Sequence, residues 1–202
     1  MANFELAYTL TLKSEGLYST NSADRGGETW KGISRNRWPD WEGWKLIDEI
    51  KANCAGSQSN LIKALQYDEE LEMKVREFFL VEFWEKLNFE KIGNDWVACE
   101  LFDTAVNQGS GTAVKYFQQA LNMLNDNQKH FRDIEADGII GPGTLAAFDA
   151  YLRTASIPGR SVDLNIKILV MAMNGLQFER YKEIVQRDPG QEAFFYGWIQ
   201  RT

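Results

Sequence analysis

Glu15 and Asp24 lie nine residues apart in the polar, glycine-rich stretch from Ser14 to Ser34. Such a stretch makes a poor core, and it exposes backbone and short polar groups to a ligand. Two carboxylates across such a loop suit glycoside hydrolysis. One protonates the leaving oxygen, and the other stabilises positive charge or activates a water. Glu15 falls at the expected end of a helix over 3–15, capped by Gly16. The negative end of the helix dipole disfavours a carboxylate there and favours its protonated form, as a general acid requires. Glu28, in the turn Gly26-Gly27-Glu28-Thr29, is the next candidate for the acid.

Other chemistries find less support. The chain has one histidine, His130, in a polar loop, whereas a catalytic zinc normally needs two or three histidines or histidine with cysteine. No Gly-x-Ser-x-Gly elbow, Walker loop or dinucleotide glycine pattern occurs. Metal-free, cofactor-free carboxylate chemistry is the expectation. A net charge of −7 argues against nucleic acid as a partner, because phosphate binding needs a basic face. Cys54 and Cys99 have no Cys-x-x-Cys spacing. They could form one disulfide, but free thiols in a reducing compartment are the preferred reading.

The elements that must position these groups are mostly helical. The 202 residues, 44% apolar, can bury a sizeable core. In the first helix Phe4, Ala7, Tyr8 and Thr11 share a face, with Leu6 and Leu10 beside it. A hairpin is expected over about 24–34, then an irregular segment bearing Trp38, Trp41 and Trp44, which could line a groove or close a core edge. Short helices follow at 46–51 and 59–67. Asp68 opens a longer helix to about Leu87, with Leu71, Val75, Phe78, Phe79 and Phe83 inward. Further helices are expected at 95–108, where Asp103 and Asn107 share a face, and at 112–124. The turn Asp137-Gly138-Ile139-Ile140-Gly141-Pro142-Gly143-Thr144 stops one segment and opens the next helix. A long helix over 161–186, apolar on more than one side, is expected to be central, and the tail around Phe194 to Ile199 to pack back.

Three separated motifs resemble a known family. Glu15-Gly16-Leu17-Tyr18, Asp24-Arg25-Gly26-Gly27, Thr29-Trp30 and Gly32-Ile33-Ser34 resemble the catalytic hairpin of phage-type lysozymes, and more closely glycoside hydrolase family 108, whose N-acetylmuramidases are typical of prophages. The chain departs from the family's usual pattern at Leu17, Arg25 and Trp30. The run Ala105 to Val114 and the turn at 137–144 resemble the family's C-terminal, peptidoglycan-binding-like region.

The resemblance implies a mainly α, lysozyme-like helical bundle with one small β-hairpin near the active site. It implies a catalytic region over 1–92 and a peptidoglycan-binding-like helical region over 93–202, packed together as one globule. It implies an endolysin-type lysozyme acting on peptidoglycan glycan strands, with Glu15 as acid, and Asp24 with Thr29 holding the water of an inverting reaction. Tyr18, Trp30, Asp103 and Asn107 would contact substrate. The alternative is a non-catalytic wall-binding or secretion-assisting protein using the same groove. The N-terminal residues have no signal-peptide pattern and no stretch has the length of a membrane span. The expectation is therefore a monomer made in the cytoplasm that reaches the wall through a holin-like pore.

Overall fold

The computed structural model describes residues 1–12, 18–20, 27–54 and 57–200. It is mainly α, with one small antiparallel sheet among the described residues. Helix α1 (Phe4–Leu12) begins at Asn3, whose side chain accepts from the backbone N–H groups of Glu5 and Leu6. Phe4, Ala7, Tyr8 and Thr11 are buried, as their spacing requires. The rest of the expected first helix lies outside the described residues.

Strands β1 (Tyr18–Ser19), β2 (Thr29–Trp30) and β3 (Ile33–Ser34) are ordered β1-β2-β3. Tyr18 pairs with Trp30 and Ser19 with Thr29, and Trp30 pairs with Ile33 across the tight turn at Lys31 and Gly32. Both turn residues have positive φ, 45° and 82°, the combination that lets a two-residue turn follow strand twist. The expected hairpin is β2–β3; β1 adds a third strand whose two residues are too few for alternation to register.

Helix α2 (Gly43–Asn53) starts three residues before the expected 46–51 helix. The ring of Trp41 lies where a Cβ on residue 43 would fall, about 2.3 Å away, so only glycine fits. Trp38, Trp41 and Trp44 close a core edge instead of lining a groove. Trp38 and Trp41 meet Phe78 edge-on, and the Trp44 indole N–H donates to the Trp38 carbonyl at 2.7 Å. Helix α3 (Gln58–Gln66) follows, and Asp68 caps α4 (Glu69–Phe79) through the Leu71 N–H at 2.7 Å.

The expected single helix from 69 to 87 changes pitch. Residues Leu80–Glu85 form a π turn, in which Lys86 N–H reaches the Val81 carbonyl. The wider turn shifts the pattern by one residue, so Trp84 is buried at 3% exposure and Phe83 is only half-buried. Trp84 thereby meets Phe4, Phe89 and Phe102 in the aromatic heart of the core.

Helix α5 (Asp95–Gln108) runs through that core and packs on α1 at its start, where Asp95 accepts from the Asn3 N–H at 2.8 Å. Helices α6 (Ser110–Met123), α7 (Pro142–Arg153), α8 (Val162–Arg187) and α9 (Glu192–Ile199) complete the chain. Both α6 and α8 pack on α5, so the core is continuous from Phe4 to Met173. The expected division at 92/93 therefore runs between α1 and its chief packing partner.

The long helix is less central than its apolar content suggested. Only Asn165, Ile166, Leu169, Met173, Gln177 and Tyr181 are buried, while Val162, Leu164, Ile168 and Met171 are exposed. Its apolar residues outnumber the surface offered by α5, α6 and α7. The tail does fold back on it: Trp198 stacks on Tyr181 at 5.1 Å, although no residue of α9 is fully buried. The cysteines are free, Cys99 buried and Cys54 half-buried. No described helix is long and apolar enough to cross a membrane.

Candidate active site and its flanking clefts

Glu15 and Asp24 lie outside the described residues. The described chain fixes where their segments attach. The segment with Glu15 joins α1 to β1, and the segment with Asp24 joins β1 to β2. Thr29 stands on β2 opposite Ser19, half-buried, and its hydroxyl donates to the Gly27 carbonyl at 3.4 Å. That long bond leaves the hydroxyl oxygen's acceptor capacity for another partner.

The next residue faces the other way. Trp30 is 1% exposed and packs against Tyr18, with the Lys31 ammonium 5.7 Å over its ring. Expected at the substrate, this ring belongs to the core, because strand alternation turns Trp30 inward where Thr29 turns outward. Its indole N–H is buried without a partner.

Glu28 is an ion-pair hub. It accepts from Lys51 at 2.9 Å, Arg35 at 2.7 Å and the Tyr18 hydroxyl at 2.7 Å, with its side chain 14% exposed. Burial pushes its carboxyl up, but the hydrogen bonds from Lys51, Tyr18 and Arg35 outweigh this and hold it below the usual range. A carboxylate so held does not serve as a general acid. Arg35 also forks onto Asp48 of α2 and stacks over Trp44, and Lys31 pairs with Glu72 of α4. The sheet is thus tied to two helices by charge. Tyr18 also edges a cleft of about 210 Å³ with Thr20, Lys51, Ser57 and Leu61.

The other expected contacts lie on α5. The Asn107 amide donates to the Asp103 carboxylate at 2.9 Å and to its carbonyl at 2.8 Å, as their four-residue spacing allows. Asp103 lines a second cleft, of about 270 Å³, with Leu10 and Thr11 of α1, Trp96 and Glu100 of α5, and Val170 of α8. The cleft thus reaches the last turn of α1, the helix from which the chain runs on to Glu15.

Glu100 was not singled out from the sequence. Burial, reinforced by the nearby Asp103 charge, pushes its carboxyl up to about 7, against hydrogen bonds from Gln177 at 2.5 Å and Thr104 at 3.3 Å. A carboxyl titrating there can hold or release a proton near neutrality. The available signal is weak: Glu100 is one of two acids, with Asp103, among the mostly apolar residues from Val97 to Ala105.

Three comparisons place these features. Residues 8–109 match the family model described as Glycosyl hydrolase 108, half of the chain. Residues 112–202 match one described as a Predicted Peptidoglycan domain. No curated protein gives a match. Among solved structures, that of Brucella abortus SagA is similar, with a TM-score of 0.55 at 20% identity, covering 98% of this chain and 88% of that one. At that identity the likeness speaks to the fold.

Proposed function

The chain belongs to the Glycosyl hydrolase 108 family, and from that membership we propose that it is an N-acetylmuramidase. It cuts the β-1,4 bond between N-acetylmuramic acid and N-acetylglucosamine in peptidoglycan. The observation that carries the reading is the family match over 8–109, which contains both loop acids, Thr29, and the α5 residues Asp103 and Asn107. The peptidoglycan domain over 112–202 supports the same substrate.

Glu15 protonates the glycosidic oxygen as the bond to C1 breaks. Asp24 takes a proton from water as that water attacks C1 from the opposite face, and Thr29 holds the water by its hydroxyl. One water is consumed, a reducing muramic end forms, and the anomeric centre inverts. The fixed ionisation of Glu28 supports Glu15 as the acid by removing its nearest rival. An inverting pair stands roughly 6.5–9.5 Å apart, against about 5–5.5 Å for a retaining one. Asp103 and Asn107 hold the glycan along α5. The chain acts as a monomer on the wall, after release from the cytoplasm through a holin-like pore.

The test is clearing of purified peptidoglycan, with new reducing ends identified by mass and first-product anomer by NMR. Muramic reducing ends of α configuration support the proposal. Glucosamine reducing ends, or no cleavage, overturn it.

A further inference from the structure

The cleft of about 270 Å³ between α1, α5 and α8 holds two side chains that the proposed reaction leaves unused. One is Trp96, in the first turn of α5. It is 65% exposed, whereas the other six tryptophans are buried or half-buried. Among the described residues no aromatic ring meets its indole. A bare indole at the rim of a cleft is a flat apolar surface for a ring laid on it.

The other is Glu100. Its hydrogen bonds from Gln177 and Thr104 both fall on one oxygen, Oε1. Among the described residues no donor meets Oε2. Nor is Oε2 sealed in: the buried side-chain atoms without a partner among the described residues belong to Trp30, Glu90, Gln108 and His130. Oε2 therefore keeps an open face, and the cavity that Glu100 lines is this cleft. With Oε1 occupied as an acceptor, the proton of the neutral acid sits on Oε2 and makes it a donor.

The surroundings favour that neutral acid. The charge acting on Glu100 is Asp103, on its own helix. Against it α1 presents Leu10 and Thr11, α8 presents Val170 and Gln177, and the residue after α9 is Gln200, all uncharged. Among the described residues no cation faces the group, and burial holds the carboxyl at about 7.

We propose that this cleft is a subsite for one N-acetylated sugar of the glycan, with the pyranose face laid on Trp96 and the acetamido carbonyl accepting a hydrogen bond from Glu100 Oε2–H. The amide carbonyl is the strongest acceptor such a sugar carries, and a hydroxyl in its place is a weaker one. Trp96 and Glu100 thus determine specificity and take no part in breaking the bond. The choice of a glycan rests on the muramidase reading, but the binding itself requires no cleavage.

The test is calorimetric titration of the full chain at pH 5 and pH 8 with tetra-N-acetylchitotetraose and with cellotetraose, which has hydroxyls in place of the acetamido groups. At pH 5 the acetylated sugar is expected to bind, and cellotetraose about tenfold more weakly or less. At pH 8 only about one Glu100 in ten keeps its proton, so the acetylated sugar should bind about tenfold more weakly than at pH 5. Glu100→Gln puts a permanent N–H at the open position and should bind equally at both values. Trp96→Ala should weaken binding about tenfold, with Trp96→Phe recovering part of the loss. On purified wall Trp96→Ala should raise KM and leave kcat within about twofold. No binding at pH 5, equal binding of the two sugars, or unchanged binding by Trp96→Ala would overturn the proposal. So would a wild-type affinity that is the same at pH 5 and pH 8, or one that still falls in Glu100→Gln. Cleavage of wall without this binding sinks this inference alone. Binding with these dependences but no cleavage sinks the muramidase reading and leaves the subsite standing.

Discussion

Glu28 and Glu100 divide by environment. Glu28, held by two cations and a phenol, stays ionised. Glu15, which lies outside the described residues, is the proton donor of the proposed reaction. Glu15→Gln should lower turnover by ~10²- to 10⁴-fold or more at unchanged melting temperature, whereas activity within a few-fold of wild type would move the acid elsewhere. Glu28→Gln has the opposite signature. It should cost stability, about 1–2 kcal/mol for these partly screened pairs, and lower activity only as far as the sheet loosens. Denaturant unfolding beside initial rates separates the two. Glu100 behaves differently again. Its carboxyl rises from 4.5 to about 7 on folding, so the native state binds more protons than the unfolded chain between those values. The resulting penalty is absent below about 4.5 and fully present above about 7. Glu100→Gln should be nearly neutral at pH 4 and stabilise by on the order of 2–3 kcal/mol at pH 8. Equal effects at both values would place Glu100 in water. The loop acids stood out by type and spacing, and both lie outside the described residues. Glu100 was not, because its depth depends on α8, and the distance between Glu100 and Gln177 in sequence hides their contact. Trp30 misled for a related reason: a tryptophan in a polar loop reads as a ligand platform until strand pairing turns it inward.

At the scale of elements, helix caps and regular periods were readable and departures from the period were not. Asn94, Ser161 and Asp68 each cap the helix they precede, and α5 has the limits its pattern gives. The π turn at Leu80–Glu85 escaped because Phe83 and Trp84 are both good core residues, and only the packing against Phe89 and Phe102 selects Trp84. The turn at 137–144 shows how a motif with a binding label can be structural. The buried Gln118 amide donates to Asp137, the Ile139 carbonyl and Thr144, and its oxygen accepts from the Gly138 N–H at 2.9 Å. One side chain of α6 thereby closes the turn that starts α7. Gln118→Leu keeps the volume and strands these partners, so it should cost about 2–4 kcal/mol. Denaturant unfolding would check this, and a loss below about 0.5 kcal/mol, the range of ordinary surface changes, would show that water replaces the amide.

At the scale of the molecule, the two family segments meet in one core. Helix α5 belongs to the first segment, yet α6 and α8 of the second pack on it, and Gln177 of α8 bonds Glu100 of α5. At the seam a single residue, Gly109, separates the two helices, ending α5 and preceding α6. Sequence motifs suggested two regions because motifs mark function and say nothing of shared burial. Whole domains are stable by only about 5–15 kcal/mol, and each deleted large apolar contact in a core removes about 2–5 kcal/mol. Removing α6 and α8 strips several such contacts from α5 at once. Residues 1–109 expressed alone should therefore lack a cooperative thermal transition, and so should residues 110–202, while mixing the two should restore one. Circular dichroism melts and dye binding to exposed apolar surface measure this directly. A fragment of 1–109 that melts cooperatively within a few degrees of the full chain would show two independent domains.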